Sequence, residues 1–110
     1  MRYKHFSEKE VEGLKPFFVS RLDVAREWAG VPFVITSGKR DAENNPGVED
    51  SAHLKGLAVD LRCQDSVNRY RILAGLFRAG FYRIGCYSLH IHVDADDEKP
   101  QRVVWLGDYK

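Results

Sequence analysis

The chain has 110 residues, 44% hydrophobic and 30% charged, which suits one globular domain spanning 1–110 and excludes a disordered chain. With 17 Lys+Arg against 16 Asp+Glu the net charge is +1, which argues against a domain that grips nucleic-acid backbone. No apolar run approaches the ~20 residues of a membrane helix, the opening MRYKHFSEKE lacks the apolar core of a secretory signal, and two cysteines, Cys63 and Cys86, are too few for a disulfide scaffold.

Residues 1–30 read as helical. Ser7 and Glu10 fit a capping box, and Pro16 restarts the helix because proline is welcome in a first turn. Phe18, Leu22, Ala25 and Ala29 then recur at helical spacing, with Trp28 beside them, until Gly30 ends the segment. Phe33–Thr36 is β-branched and apolar, a strand by composition. Residues 38–50 are polar and rich in turn formers, a long loop of the kind that often carries function. Leu57–Leu61 alternates as a strand, with Leu57, Val59 and Leu61 on one face and Gly56, Ala58 and Asp60 on the other. Ser66–Ala79 reads as a second helix, capped by Ser66, with Tyr70, Leu73, Ala74 and Phe77 on one face and Gly80 as its stop. Tyr82–Cys86, Leu89–Ala95 and Val103–Trp105 read as strands. Strands clustered at the end predict an α+β fold, a small antiparallel sheet with helices packed on one face.

The chemistry concentrates in His53, Asp60, His90, His92 and Asp94. Strand alternation puts His90, His92 and Asp94 on one face and sends Ile91 and Val93 toward a core. Asp60 shares its face with Gly56 and Ala58, whose small size suits an open cleft, or alternatively a tight crossing of the chain. Two neutral imidazoles, from His53 and His92, and the Asp60 carboxylate make three ligands. Three protein ligands with a fourth position open to water is the arrangement of a catalytic zinc site. Cys63 follows Asp60 by three, so alternation aims it at the opposite face. Both cysteines read as reduced, buried, small hydrophobes, with a disulfide open to them only if their strands are neighbours.

At these residues the sequence resembles a known family. Ser51-Ala52-His53-Leu54-Lys55-Gly56-Leu57-Ala58-Val59-Asp60 matches, at every fixed position, the SxHxxGxAxD signature of the zinc D-Ala-D-Ala peptidases. That superfamily includes D-Ala-D-Ala carboxypeptidases and dipeptidases, L-alanyl-D-glutamate endolysins and the hedgehog signalling domain. Thr36-Ser37-Gly38-Lys39-Arg40 is similar to the family's TSGYR segment, with Lys39 in place of Tyr. Arg83–Tyr87 followed by His90-Ile91-His92-Val93-Asp94 is similar to the GxY…HxHVD end of its small cell-wall members, and Val104–Gly107 to their closing Trp-x-Gly.

The resemblance implies a hedgehog/DD-peptidase-like fold and one zinc ion held by His53, Asp60 and His92. It implies a metallopeptidase that hydrolyses peptidoglycan stem peptides, as a carboxypeptidase or an endopeptidase of endolysin type. Arg40 would bind a substrate carboxylate or carbonyl, a task that suits a guanidinium, and Ser51 would orient the ligand loop. His90 would stabilise the oxyanion or shuttle a proton.

One departure stands out. Many members carry an acid three residues before the last ligand, where this chain has Leu89, and hedgehog-type members carry Glu six before, where it has Cys86. The base then falls to Asp94, His90, Glu49 or Asp50, with Asp94 alternatively orienting a histidine. The missing acid also leaves room for a zinc-stabilised, non-catalytic module that binds muropeptides or a protein. A non-haem iron oxygenase, suggested by the pair His92-Val93-Asp94, is disfavoured because no histidine follows His92. The expected partners are peptidoglycan peptides, with neither nucleic acid nor membrane, and the expected state is a monomer. Two locations fit a chain without a visible export signal: the cytoplasm before release to the wall, or a virion.

Overall fold

The computed structural model describes residues 3–38 and 52–107, and the elements run helix, strand, strand, helix, then three strands. Helix α1 (Pro16–Ala29) starts with proline at its first position, where the missing N–H costs nothing. It stops at Gly30, whose φ of 71° lets its N–H return to the Arg26 carbonyl. Helix α2 (Ser66–Arg78) is capped by Asp65, whose carboxylate accepts from Asn68 N–H at 2.8 Å. The cap is therefore one residue earlier than Ser66. Ahead of α1, the Ser7–Glu10 capping box does form, with Ser7 N–H on Glu10 at 2.8 Å and Glu10 N–H on Ser7 Oγ at 3.2 Å. Only turns follow it over residues 8–13, so the first helix expected there is not made.

Strands β1 (Ile35–Ser37), β2 (Ala58–Arg62), β3 (Arg83–Cys86), β4 (His90–Asp94) and β5 (Val103–Leu106) form one sheet in the order β1-β2-β4-β3-β5. The first four pair antiparallel, but β5 runs parallel to β3, so the α+β sheet is mixed rather than antiparallel throughout. The register produces two kinds of row across the sheet. Val59, Val93, Ile84 and Val104 lie side by side, as do Leu61, Ile91, Cys86 and Leu106. On the other face Asp60, His92, Gly85 and Trp105 form one row, and Ala58, Asp94, Arg83 and Val103 the next.

The apolar rows meet the helices over β2, β4 and β3, while Val104 and Leu106 on the edge strand β5 stay exposed. Phe18, Val19, Leu22, Ala25 and Ala29 of α1 and Ile72 and Leu76 of α2 join Val59, Leu61, Ile84, Ile91 and Val93 in one buried core. Each fully buried Leu or Ile contributes about 1.5–3 kcal/mol relative to exposure. The helical period of α2 is as expected, but its phase is not: Ile72, Gly75 and Leu76 are buried, while Tyr70 and Phe77 are 76% and 53% exposed. Gly75 decides this, because only a residue without a side chain fits where α2 touches Ala25 and Ala29 of α1. Cys63 and Cys86 are buried and not joined by a disulfide, and the strand carrying Cys86 is separated from β2 by β4. No helix of the described residues is long and apolar enough to cross a membrane.

Candidate metal centre

The polar face of the sheet owes its site to one cross-strand pair. Asp60 on β2 lies opposite His92 on β4, and directly opposed side chains are close enough to touch. Asp60 Oδ1 is 3.1 Å from Nδ1 of His92. His53 comes to the same point from the turn 52–56, in which Gly56 N–H bonds the His53 carbonyl and Leu57 N–H the Ala52 carbonyl. Its Nε2 is 3.4 Å from Asp60 Oδ1. The three ligand atoms all lie within 4.8 Å of one another, and the two imidazole rings are 5.2 Å apart.

Gly56 holds that turn in place for a reason other than openness. Its φ is +74°, and a Cβ there would come within 2.6 Å of the Gly13 carbonyl oxygen. Lys15 N–H also bonds the Gly56 carbonyl at 2.9 Å. The small residue before Asp60 thus marks a tight crossing with the 13–15 segment, not the rim of a cleft.

The outer nitrogens of both rings are occupied. Nδ1 of His53 bonds the Gly38 carbonyl at 2.8 Å, which makes this nitrogen the donor and leaves Nε2 with its lone pair. Nε2 of His92 bonds Asp94 Oδ2 at 2.7 Å, so the neutral ring keeps its Nδ1 lone pair for a metal, whereas the protonated ring of the metal-free chain donates from Nδ1 to Asp60. Asp94 is itself fixed, because Arg83 Nε donates to its Oδ1 at 2.7 Å and Asp96 N–H at 3.1 Å. A carboxylate and two imidazoles directed at one point, each ring backed by an outer hydrogen bond, are the donor set a divalent zinc ion takes.

Electrostatics agree with the geometry. In the metal-free chain burial pushes the Asp60 carboxyl up, but hydrogen bonds donated by the His53 and His92 rings outweigh it and hold the group well below the ordinary carboxylate range. Burial pushes His92 down, and hydrogen bonds with Asp60 and Asp94 outweigh it and raise the group above an ordinary histidine. Asp94 resists burial in the same way as Asp60, through His92 first and the Asp96 backbone next, and stays below the ordinary range.

A cavity of about 330 Å³ opens over this group, lined by His53, Asp60, Tyr87, His90 and His92. His90 is therefore brought to the site. Its ring stacks on Tyr87 with centroids 4.3 Å apart and planes 10° from parallel. Asp94 is not brought to the cavity: it sits against the far edge of the His92 ring, 2% exposed, with both oxygens engaged. Leu89 is 62% exposed beside His90 on the β3–β4 hairpin, and Cys86 belongs to the apolar rows, so neither position supplies an acid. Arg40, Ser51, Glu49 and Asp50 lie outside the described residues.

Arg83, Tyr87 and Trp105 are the neighbours that sequence reasoning assigned no role. Tyr87 N–H bonds the His90 carbonyl across a two-residue turn, Ser88-Leu89. Counting back from that turn pairs Gly85 with His92 and Arg83 with Asp94, so the hairpin itself carried the signal.

Residues 6–94 match the family model described as Peptidase M15. Neither the search of curated proteins nor that of solved structures returned a match. The family match covers most of the chain and contains every residue of the His53–Asp60–His92 group, and the chain belongs to the M15 family of zinc peptidases, the superfamily of D-Ala-D-Ala carboxypeptidases and endolysins.

Proposed function

We propose that this protein is a zinc metallopeptidase that hydrolyses peptide bonds in peptidoglycan stem peptides, as a D-Ala-D-Ala carboxypeptidase or an endopeptidase of endolysin type. The observation that supports it most is the convergence of His53 Nε2, Asp60 and His92 Nδ1 within 4.8 Å, with both outer nitrogens already bonded. Zinc held there supplies a Lewis acid for the scissile carbonyl and a water whose pKa falls to roughly 7.

The chain's own residues do the rest. Asp60 brings a negative charge that offsets the cation, and Asp94 with Arg83 fixes the His92 ring so that Nδ1 faces inward. His90, stacked on Tyr87 at the cavity, donates to the carbonyl oxygen as it gains charge and delivers a proton to the leaving amine. Arg40 anchors the peptide through a carboxylate or carbonyl, and Ser51 orients the ligand loop.

Incubation of the zinc-loaded protein with purified sacculi and defined muropeptides, read by mass spectrometry, tests this. Free D-Ala, or a new amine at an L-Ala-D-Glu or cross-link position, is the expected product and names the bond. His90→Ala should lower kcat about 10²–10³-fold, the usual cost of one oxyanion donor, with zinc retained. A second reading has a specific observation in its favour: among the described residues, Asp60 is the only acid lining the cavity. Tight muropeptide binding without release of product would make the protein a zinc-stabilised recognition module instead.

A further inference from the structure

The aromatic wall beside the metal group is built by two glycines. Gly85 on β3 lies next to Trp105 on β5, and a Cβ at Gly85 would sit 2.6 Å from the indole ring. A Cβ at Gly107 would overlap the Tyr87 ring. The two glycines thus leave the space that both rings occupy. Trp105 comes 5.5 Å from His92, and Tyr87 stacks on His90. Between the two rings, Trp105 Nε1–H donates to Tyr87 Oη at 3.2 Å.

That bond has a direction. An indole nitrogen only donates, so Tyr87 Oη is the acceptor and its own proton must go elsewhere. Tyr87 is also one of the five residues that line the cavity, together with His53, Asp60, His90 and His92. We infer that Tyr87 is a further catalytic residue: its phenol O–H, aimed by Trp105, donates a hydrogen bond to the scissile carbonyl oxygen as negative charge gathers there. No proton is transferred by Tyr87, and His90 keeps the proton work.

This rests on the peptidase reading above and adds to it. With Leu89 where an acid is often found, the described residues lining the cavity offer only His90 and Tyr87 as polar side chains besides the ligands, and a second neutral donor compensates. A donor matched to the charged oxygen strengthens binding in the transition state more than in the ground state.

Tyr87→Phe keeps the ring, the stack on His90 and the packing on Gly107, and removes only the hydroxyl. The zinc-loaded variant should melt with the wild type and hold the same zinc. Its kcat on the muropeptide the wild type cleaves should fall about 10–100-fold with KM nearly unchanged, in line with loss of one oxyanion donor. Phosphinate analogues of D-Ala-D-Ala and L-Ala-D-Glu carry tetrahedral, charged oxygens and need no turnover. Wild type should bind one of them about 10–100-fold more tightly than the variant by calorimetry. Trp105→Phe, which removes the aiming bond, should give a smaller loss in the same direction. Equal phosphinate affinity in wild type and Tyr87→Phe overturns the inference, whatever the hydrolysis assay gives. A wild type that cleaves nothing but still discriminates the phosphinate overturns the hydrolase reading alone.

Discussion

Asp94 meets His92 on the ring edge opposite Asp60: Oδ2 of Asp94 is 2.7 Å from Nε2, and Oδ1 of Asp60 is 3.1 Å from Nδ1. A neutral imidazole that donates from Nε2 to a carboxylate must present Nδ1 as the lone pair. The carboxylate in turn is held by Arg83. Asp94→Asn should therefore weaken zinc binding about 10–100-fold without removing a ligand. Chelator competition at fixed pH measures this. Arg83→Gln should shift zinc affinity in the same direction, and the double variant should lose less than the sum because both act through one ring. Unchanged affinity in Asp94→Asn would show that the second bond contributes nothing to the metal.

Purified protein should carry about one zinc per chain, and His53→Ala, Asp60→Ala and His92→Ala should each lose it. A ligand that binds only the folded state adds about 2.7 kcal/mol at a hundred times its dissociation constant, so chelation should lower the melting temperature. The pH dependence has opposite signs with and without metal. In the metal-free chain the His92 pKa is raised above its unfolded value, so its contribution is fully present below about pH 6.5. It is lost as pH rises through the raised folded value. Zinc needs the neutral ring, so zinc affinity climbs over the same window. The gap between zinc-loaded and chelated melting temperatures should widen steadily from mildly acidic to mildly alkaline pH. A constant gap would mean that His92 is not a ligand.

Much of the site was legible because strand alternation is rigid. His90, His92 and Asp94 share a face, and Ile91 and Val93 share the buried one, as the period of two requires. The Asp60–His92 pairing was not legible, because register between β2 and β4 depends on how the intervening residues 63–89, which carry α2 and β3, return the chain to the sheet. The phase of α2 failed for a related reason. Tyr70 and Phe77 carry more apolar surface than Gly75, yet the tight crossing with α1 buries the glycine. Periodicity reports which residues share a face and not which face meets a partner. Likewise the Ser7–Glu10 box formed its bonds without a helix after it, since two hydrogen bonds do not offset the cost of nucleating one.

Asp96 ties the segment after β4 to the turn that carries His53. It is fully buried, and Lys55 Nζ donates to both its oxygens at 2.9 and 3.1 Å. Burial pushes the Asp96 carboxyl up, but Lys55 and the Glu98 N–H bring it below the ordinary range. A depressed acid contributes stability above its unfolded pKa of about 3.9 and loses it as pH falls through the lower folded value. Asp96→Asn should lower the melting temperature at neutral pH and flatten the acid limb of the stability curve below pH 4. Lys55 sits two residues from His53, so zinc affinity should fall in the same variant. Parallel acid limbs for the two proteins would show that Asp96 is not the group whose protonation matters.

Gly75 sets two effects of known size against each other. Alanine is the better helix former by about 1 kcal/mol, and Gly75 lies inside α2 where that gain applies. Yet a Cβ at this position would be 2.5 Å from the Ala25 carbonyl oxygen, 2.8 Å from the Ala29 Cβ and 3.0 Å from the Ala29 nitrogen. Two of those neighbours are backbone atoms of α1, which cannot swing away as a long side chain could. Forcing a methyl into a close-packed contact costs about 1–3 kcal/mol, occasionally more, and this contact sits at its upper end. Gly75→Ala should therefore destabilise by about 1–2 kcal/mol net, and Gly75→Val by more. Urea midpoints at unchanged m-value measure the loss. Because α1 and α2 meet only the apolar face of the sheet, zinc affinity should stay at the wild-type value, and a stabilised Gly75→Ala would mean that the two helices are free to separate.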